Sequence, residues 1–130
     1  MGQTYVRASF GTGRHRIAAA ALCIGDDISV GIWGGSRPHI GSVAIAVPRQ
    51  SLSGSGQLRA TSSVFNFTGH KDETVAREIA ESIAMRLNRN VVATAGIHVD
   101  RMTHRDLLQV FDNVAKLKER LIAHLERRLR

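Results

Sequence analysis

Three histidines of this chain stand in glycine-containing loops: His39 in GGSRPHIG, His70 in TGHKD and His98 in AGIHVD. Imidazole can ligate a metal, move a proton or hydrogen-bond the polar edge of a ligand. Three imidazoles around an open position form a catalytic zinc or iron arrangement. His39, His70 and His98 are therefore one candidate metal set, with Asp100, two residues past His98, as its orienting carboxylate or base. The same loops suit an anion. Lys71 and the free N–H groups of a helix start can seat a phosphate or carboxylate, and Arg37 can clamp one with two parallel hydrogen bonds. Gly34, Gly35, Gly41 and Gly69 allow backbone to approach a ligand closely. Trp33, the only tryptophan, directly precedes Gly34 and offers a flat apolar surface.

Plain structural duties compete with each assignment. A glycine pair before Ser-Arg-Pro-His also makes a turn, and a histidine beside a turn also makes a tether. The histidine spacing matches no compact metal motif such as HExxH, and the order of residues does not prove that the three loops meet. No carboxylate pair, activated serine or cysteine beside a base accompanies them. Catalysis is thus poorly equipped, and a site for an anionic, partly aromatic ligand is at least as economical. His15, His104 and His124, in charged or helical contexts, read as surface residues.

Strands and helices must hold these loops. TYVRASFGTGRHRIAAAALCIGDDISVGIWGG, GSVAIAVPR and RATSSVFNF alternate or run apolar, the first broken at Gly-Thr-Gly 11–13 and Gly-Asp-Asp 25–27, and the last two separated by the flexible SLSGSGQL. The first two breaks suit tight hairpins, giving five strands in a mostly antiparallel meander. In GSVAIAVPR, Val43, Ile45 and Val47 share one side and small residues the other, and Pro48 marks an end or an edge. DETVAREIAESIAMRLN sets Val75, Ala76, Ile79, Ala80, Ile83, Ala84 and Leu87 on one helical stripe, with Thr68 or Asp72 to cap its start. NVVATAGIHV reads as one more strand. Beyond it Thr103 and Asp106 have capping-box spacing, and Leu107, Val110, Val114, Leu117, Leu121 and Leu125 continue at helical intervals.

The order β-β-β-β-β-α-β-α predicts a single α+β domain over residues 1–130: a two-layer sandwich of about six strands with both helices on one face. Two helices leave the other sheet face bare. A second copy is the simplest cover, so a homodimer is expected, with the alanine-rich strand IAAAALCI packed closely there.

At 130 residues the chain can bury a core without disulfides or metal. Its one cysteine, Cys23, excludes an internal disulfide and reads as a small buried residue. No stretch has the form of a signal peptide or the apolar length of a membrane span, which points to the cytoplasm and away from membranes. A formal net charge of +7 invites nucleic acid, an anionic cofactor or an acidic partner. Much of that excess sits in the closing KLKERLIAHLERRLR, so nucleic-acid binding through a basic C-terminal helix is one reading. An aromatic content of 5% supplies few stacking platforms and argues against it.

GGSRPHIGSVAIAVPR, SSVFNFTGHKDETVAREIAESIA and VVATAGIHVD, in that order, resemble the LpdD-like family, associated with gallate decarboxylase and described as prenylated-flavin chaperones. The resemblance runs over residues 28–125. It implies an accessory protein for an enzyme that decarboxylates aromatic or unsaturated acids with prenylated flavin mononucleotide (FMN), not the enzyme itself. It also implies a dimerising α+β sandwich similar to small proteasome-assembly chaperones. Carried onto this chain, prenylated FMN or FMN would meet Gly34, Gly35, Arg37, His39, Gly41, Gly69, His70, Lys71 and His98, with Trp33 beside them. Arg37, Lys71 and the helix start would hold the phosphate, the glycine loops the ring, and the histidines its polar edge. The partner would be the flavin or the apo-decarboxylase. Two further roles stand beside this one: a small metal-dependent enzyme acting on an aromatic or carboxylated molecule through His39, His70 and His98, and a ligand-free dimeric assembly factor.

Overall fold

A computed structural model describes residues 4–67 and 71–129. Its elements are β1 (Thr4–Phe10), a one-turn 3-10 helix (Gly13–His15), β2 (Ile17–Ile24), β3 (Asp27–Gly35), β4 (Ser42–Gln50), β5 (Leu58–Asn66), α1 (Lys71–Leu87), β6 (Val91–His98) and α2 (His104–Arg128). The order is the expected one, and the six strands form one mixed, mostly antiparallel sheet. Among the described residues no helix is long and apolar enough to cross a membrane.

The sheet is not a meander. Its strand order is β1-β2-β3-β6-β4-β5, so the last strand lies between two that are consecutive in the chain. β6 runs parallel to β3 and antiparallel to β4. The chain leaving β3 must therefore cross over the end of β6 to begin β4, and GGSRPHIG is that crossing. Glycine opens the path at Gly96 of β6, where an added Cβ would stand within the carbonyl of His39 passing overhead. Gly35, at φ +79, lies close against the carbonyl of His98, where a Cβ would also overlap it. The connection at 11–16 also departs from a tight hairpin: it takes up the short 3-10 turn, with Gly11 at φ +92. Residues 25–26 do form a tight turn, with Gly25 at φ +59. Pro48 sits where β4 has passed the end of its pairing with β6, so its missing N–H costs no ladder bond.

The pleat sends alternate side chains to one core. Ile17, Ala19, Ala21 and Cys23 of β2, Ile28, Val30 and Ile32 of β3, and Ala93, Ala95 and Ile97 of β6 are all buried. Burial in this apolar layer pushes the Cys23 thiol pKa up. On β4 the small side chains face inward: Ala44 and Ala46 are buried, while Ile45 and Val47 are about half exposed. α1 explains this inversion. It packs on β4, β5 and β6 with Ala76, Ala80 and Ala84 buried beside Val75, Ile79 and Ile83, and alanine on both sides lets helix and sheet approach closely.

α2 lies on β1 and β2. It begins with the expected capping box, Thr103 accepting from the Asp106 N–H at 3.1 Å and Asp106 accepting from the Thr103 N–H at 2.9 Å. Those bonds, with His15 at 2.7 Å, hold the Asp106 carboxyl far below the usual carboxylate range. His15 is thus a half-buried anchor, not a surface residue, because the 3-10 turn delivers it to the helix start. A cap is worth about 1 kcal/mol. Burying Val110, Val114, Leu117, Leu121 and Leu125 is worth about 1.5–3 kcal/mol each, so packing holds this helix in place.

Among the described residues, the opposite sheet face carries no helix. Side by side across it run Tyr5, Leu22, Ser29, Val92, Ile45 and Ser63, by the strand registers. Ile24 and Val47 extend this apolar end. The IAAAALCI strand splits between the faces, Ile17, Ala19, Ala21 and Cys23 turning to the helices and Ala18, Ala20, Leu22 and Ile24 to the bare side.

The crossing makes a testable contrast. Gly96→Ala should cost about 3 kcal/mol, because backbone must move. Gly25→Ala, whose methyl would meet nothing within 4 Å, should cost only the strain of its positive φ, about 1 kcal/mol. Equal losses in urea unfolding would contradict a tight crossing at Gly96.

Candidate functional site

The crossing loop is fastened to the end of β6 by main-chain bonds. Ser36 N–H and Arg37 N–H both donate to the His98 carbonyl, at 2.7 and 3.4 Å, and Gly41 N–H donates to the Ala95 carbonyl at 2.8 Å. The Ser36 hydroxyl accepts from the Asp100 N–H at 3.2 Å. Between these ties Arg37, Pro38, His39 and Ile40 stand exposed, Ile40 at 58%.

One buried carboxylate organises the underside of the loop. Asp72, 3% exposed at the start of α1, accepts from the Ile97 N–H of β6 at 3.0 Å. Its Oδ2 lies 3.2 Å from His39 Nε2, and its Oδ1 lies 3.4 Å from Lys71 Nζ. Lys71 also donates to the Ile97 carbonyl. One aspartate therefore joins helix, central strand and crossing loop. Gly41 makes room for it, since a Cβ there would overlap Asp72 Oδ2. His39 meets acceptors at both ring nitrogens, because its Nδ1 faces the Arg37 carbonyl at 3.1 Å.

A second pair stands beside the loop. His98 Nε2 and Asp100 Oδ1 are 2.9 Å apart, so Asp100 orients His98 as its spacing suggested. The His98 hydrogen bond, aided by Ser36, holds the Asp100 carboxyl below its ordinary pKa. On the flank, Asn66 donates to Glu73 at 2.6 Å and accepts from the buried Ser42 hydroxyl, which ties the end of β5 to α1 and β4.

These positions distribute the candidate residues unevenly. His39, Gly41 and Lys71 meet at Asp72. Gly35 and His98 meet through the loop's main chain, and Arg37 is exposed between them. Gly34 is buried against the Arg16 carbonyl at the end of β3, leaving little room for a ligand at that residue itself. Trp33 is half-buried on the helix-free face, where its ring lies toward Gly31. Gly69, His70 and the cap candidate Thr68 lie outside the described residues. His39 and His98 each engage their own carboxylate, and among the described residues no group of three or more His, Cys, Asp or Glu could hold a metal. Lys71's ammonium is engaged internally, with 23% of its side chain exposed, so Arg37 is the open cation of the loop. Asp72 and Gly96 are not among the sequence-predicted site residues. Their available signals were an aspartate right after the Gly-His-Lys and a glycine inside a strand pattern.

Much of the basic C-terminal helix is occupied structurally. Lys118 pairs with Glu78 at 3.1 Å, and Arg120 donates to the Ser9 carbonyl at 2.7 Å. Lys116 and Arg120 lie 5.5 and 5.1 Å from the centre of the Phe10 ring.

A family model described as the prenylated flavin chaperone LpdD-like domain matches residues 11–126. Protein LpdD of Lactiplantibacillus plantarum is 28% identical over 116 residues, covering 86% of this chain and 79% of that protein. The fold is similar to that in the crystal structure of a chaperone complex for yeast 20S proteasome assembly, with a TM-score of 0.64 and 16% identity over 100% of both chains.

Asp72→Ala should cost about 2–3 kcal/mol, since it strands the Ile97 N–H and removes the partner of the Lys71 ammonium and the His39 ring. Asp72→Asn keeps an acceptor for Ile97 and should cost less. A denaturation midpoint unchanged in Asp72→Ala would remove the carboxylate from its organising role.

Proposed function

Because the chain belongs to the LpdD-like family of prenylated-flavin chaperones, we propose that it acts in the cytoplasm as an accessory protein to a decarboxylase that uses prenylated FMN on aromatic acids, as in the gallate decarboxylase system. The carrying observation is the family match over residues 11–126, which includes the crossing loop, α1 and all but the last two residues of α2. The geometry favours holding a ligand over transforming one. A loop tied to β6 at both ends and to Asp72 in the middle presents Arg37 and His39 to solvent, with His98 beside them. Such a surface is organised before binding, so little ordering entropy opposes it. In this reading Trp33, Gly34, Gly35, Arg37, His39, Gly41, Gly69, His70, Lys71 and His98 form the flavin's surroundings, and the apo-decarboxylase receives the cofactor.

The working unit in this proposal is a homodimer. Ile24 is 56% exposed, Ile45 50%, Val47 48% and Val92 40%, and all lie at one end of the helix-free face. An apolar patch of this kind on a sheet is suited to a second sheet stacked about 10 Å away. Ile45→Glu with Val92→Glu should convert a dimer to a monomer in sedimentation equilibrium. A wild-type protein that is monomeric at tens of micromolar would remove the dimer from the proposal.

The functional test is co-expression with a prenyl-flavin synthase and purification without oxygen. The expected product carries a flavin, identified by its absorption and by mass spectrometry after release, and restores activity when mixed with apo-decarboxylase. Bound zinc or iron at one per chain, with no flavin and no reactivation, would transfer the assignment to the metal-dependent enzyme.

A further inference from the structure

Two arginines on the helix-free face have no assigned role. Arg7 of β1 and Arg16 just before β2 are exposed, and neither guanidinium has a hydrogen bond or ion pair with any described residue. Both line a cavity of about 220 Å³ whose floor includes Ala18. Arg16 and Ala18 also line a second cavity of about 190 Å³, bounded by Trp33, Gly35 and Pro38. The two cavities therefore adjoin. Joined, they reach the range in which small molecules bind, from about 300 Å³ upward. No carboxylate lines either one.

The strand registers explain how this surface arises. Ser9, Ala18, Trp33 and Gly96 lie side by side across β1, β2, β3 and β6. The next row is Arg7, Ala20, Gly31 and Thr94. Small side chains at Ala18, Ala20 and Gly31 keep the floor low, and the Trp33 ring extends over Gly31, with ring carbons 3.9–4.0 Å from where a Cβ would stand. An indole beside a shallow floor, with two unpaired guanidiniums along its rim, suits a ligand with a flat ring at one end and an anion at the other.

We propose that this surface binds a phosphorylated planar heterocycle, its ring on Trp33 and its phosphate on Arg16 and Arg7. The proposal rests on the flavin reading and refines it. Trp33 and Gly35 belong to both surfaces, but the phosphate goes to the β1–β2 side instead of to Lys71, whose ammonium is already bound to Asp72 and Ile97. The apolar residues offered for dimer contact lie at the other end of the same face, so the ligand and a second copy need not compete.

The experiment is calorimetric titration of the full chain with FMN and, separately, with riboflavin, which lacks the phosphate. Arg7→Ala with Arg16→Ala should weaken FMN binding at least tenfold and leave riboflavin binding unchanged, and Trp33→Leu should weaken both. Because both arginine side chains are exposed and without partners, the double variant should melt at the wild-type temperature. FMN affinity unchanged in the double variant but lost in Arg37→Ala would overturn the proposal while leaving the flavin reading in place. Failure of the wild-type chain to bind FMN would also overturn it, and the co-purification experiment above would then decide the flavin reading on its own.

Discussion

The fold depends on a crossing. β6 completes the sheet between β3 and β4, which are neighbours in the chain, so the peptide that joins them has to pass over the end of a strand. A crossing this tight allows no side chain beneath it, and Gly96 supplies the gap. It also needs fastening, and the carbonyl of His98, the carbonyl of Ala95 and the buried carboxylate of Asp72 provide it. The loop that results is exposed along Arg37 to Ile40 yet anchored on both sides. Solving the sheet's connectivity and presenting a fixed polar surface are one structural act here.

Much of this was legible in the residues. The helical stripe from Val75 to Leu87, the capping box of Thr103 and Asp106, and the turn at Gly25 are local signals, set by side chains within a few positions of one another, and each lies where its pattern put it. Strand neighbours are different. Nothing in VVATAGIH says that it pairs parallel to DISVGIWGG, because that choice depends on which edges remain open after the hairpins form. The meander reading failed for this reason, and with it the link between GGSRPHIG and Gly96 stayed hidden. Asp72 was visible as a helix-start acid, but its contact with Ile97 and His39 exists only once β6 and the crossing loop meet. His15 differs from the surface reading because a 3-10 turn, in place of a tight hairpin turn, aims it at Asp106.

The net charge of +7 is shared out by the fold. Lys118, Arg120 and Arg86 are engaged along the helices, Arg86 with Glu119 at 3.3 Å, and such exposed pairs contribute about 0–1 kcal/mol each. They mainly restrain side chains. Arg7 and Arg16 on the helix-free face stay unneutralised near a concave surface, where a field is most useful for attracting an anion. Basic composition alone could not separate these two populations.

The same topology governs how the molecule comes together. β1 to β3 pair by short connections, and so do β4 and β5, but these two groups share no ladder except through β6. Until residues 91–98 arrive, the chain is two small sheets on a tether, with the inner edges of β3 and β4 open to any passing strand. A chain made from its N-terminus meets this state during every round of synthesis, because β6 follows all five other strands. Contacts so distant in sequence form slowly. Completing the sheet therefore requires the insertion of one eight-residue strand between two open edges.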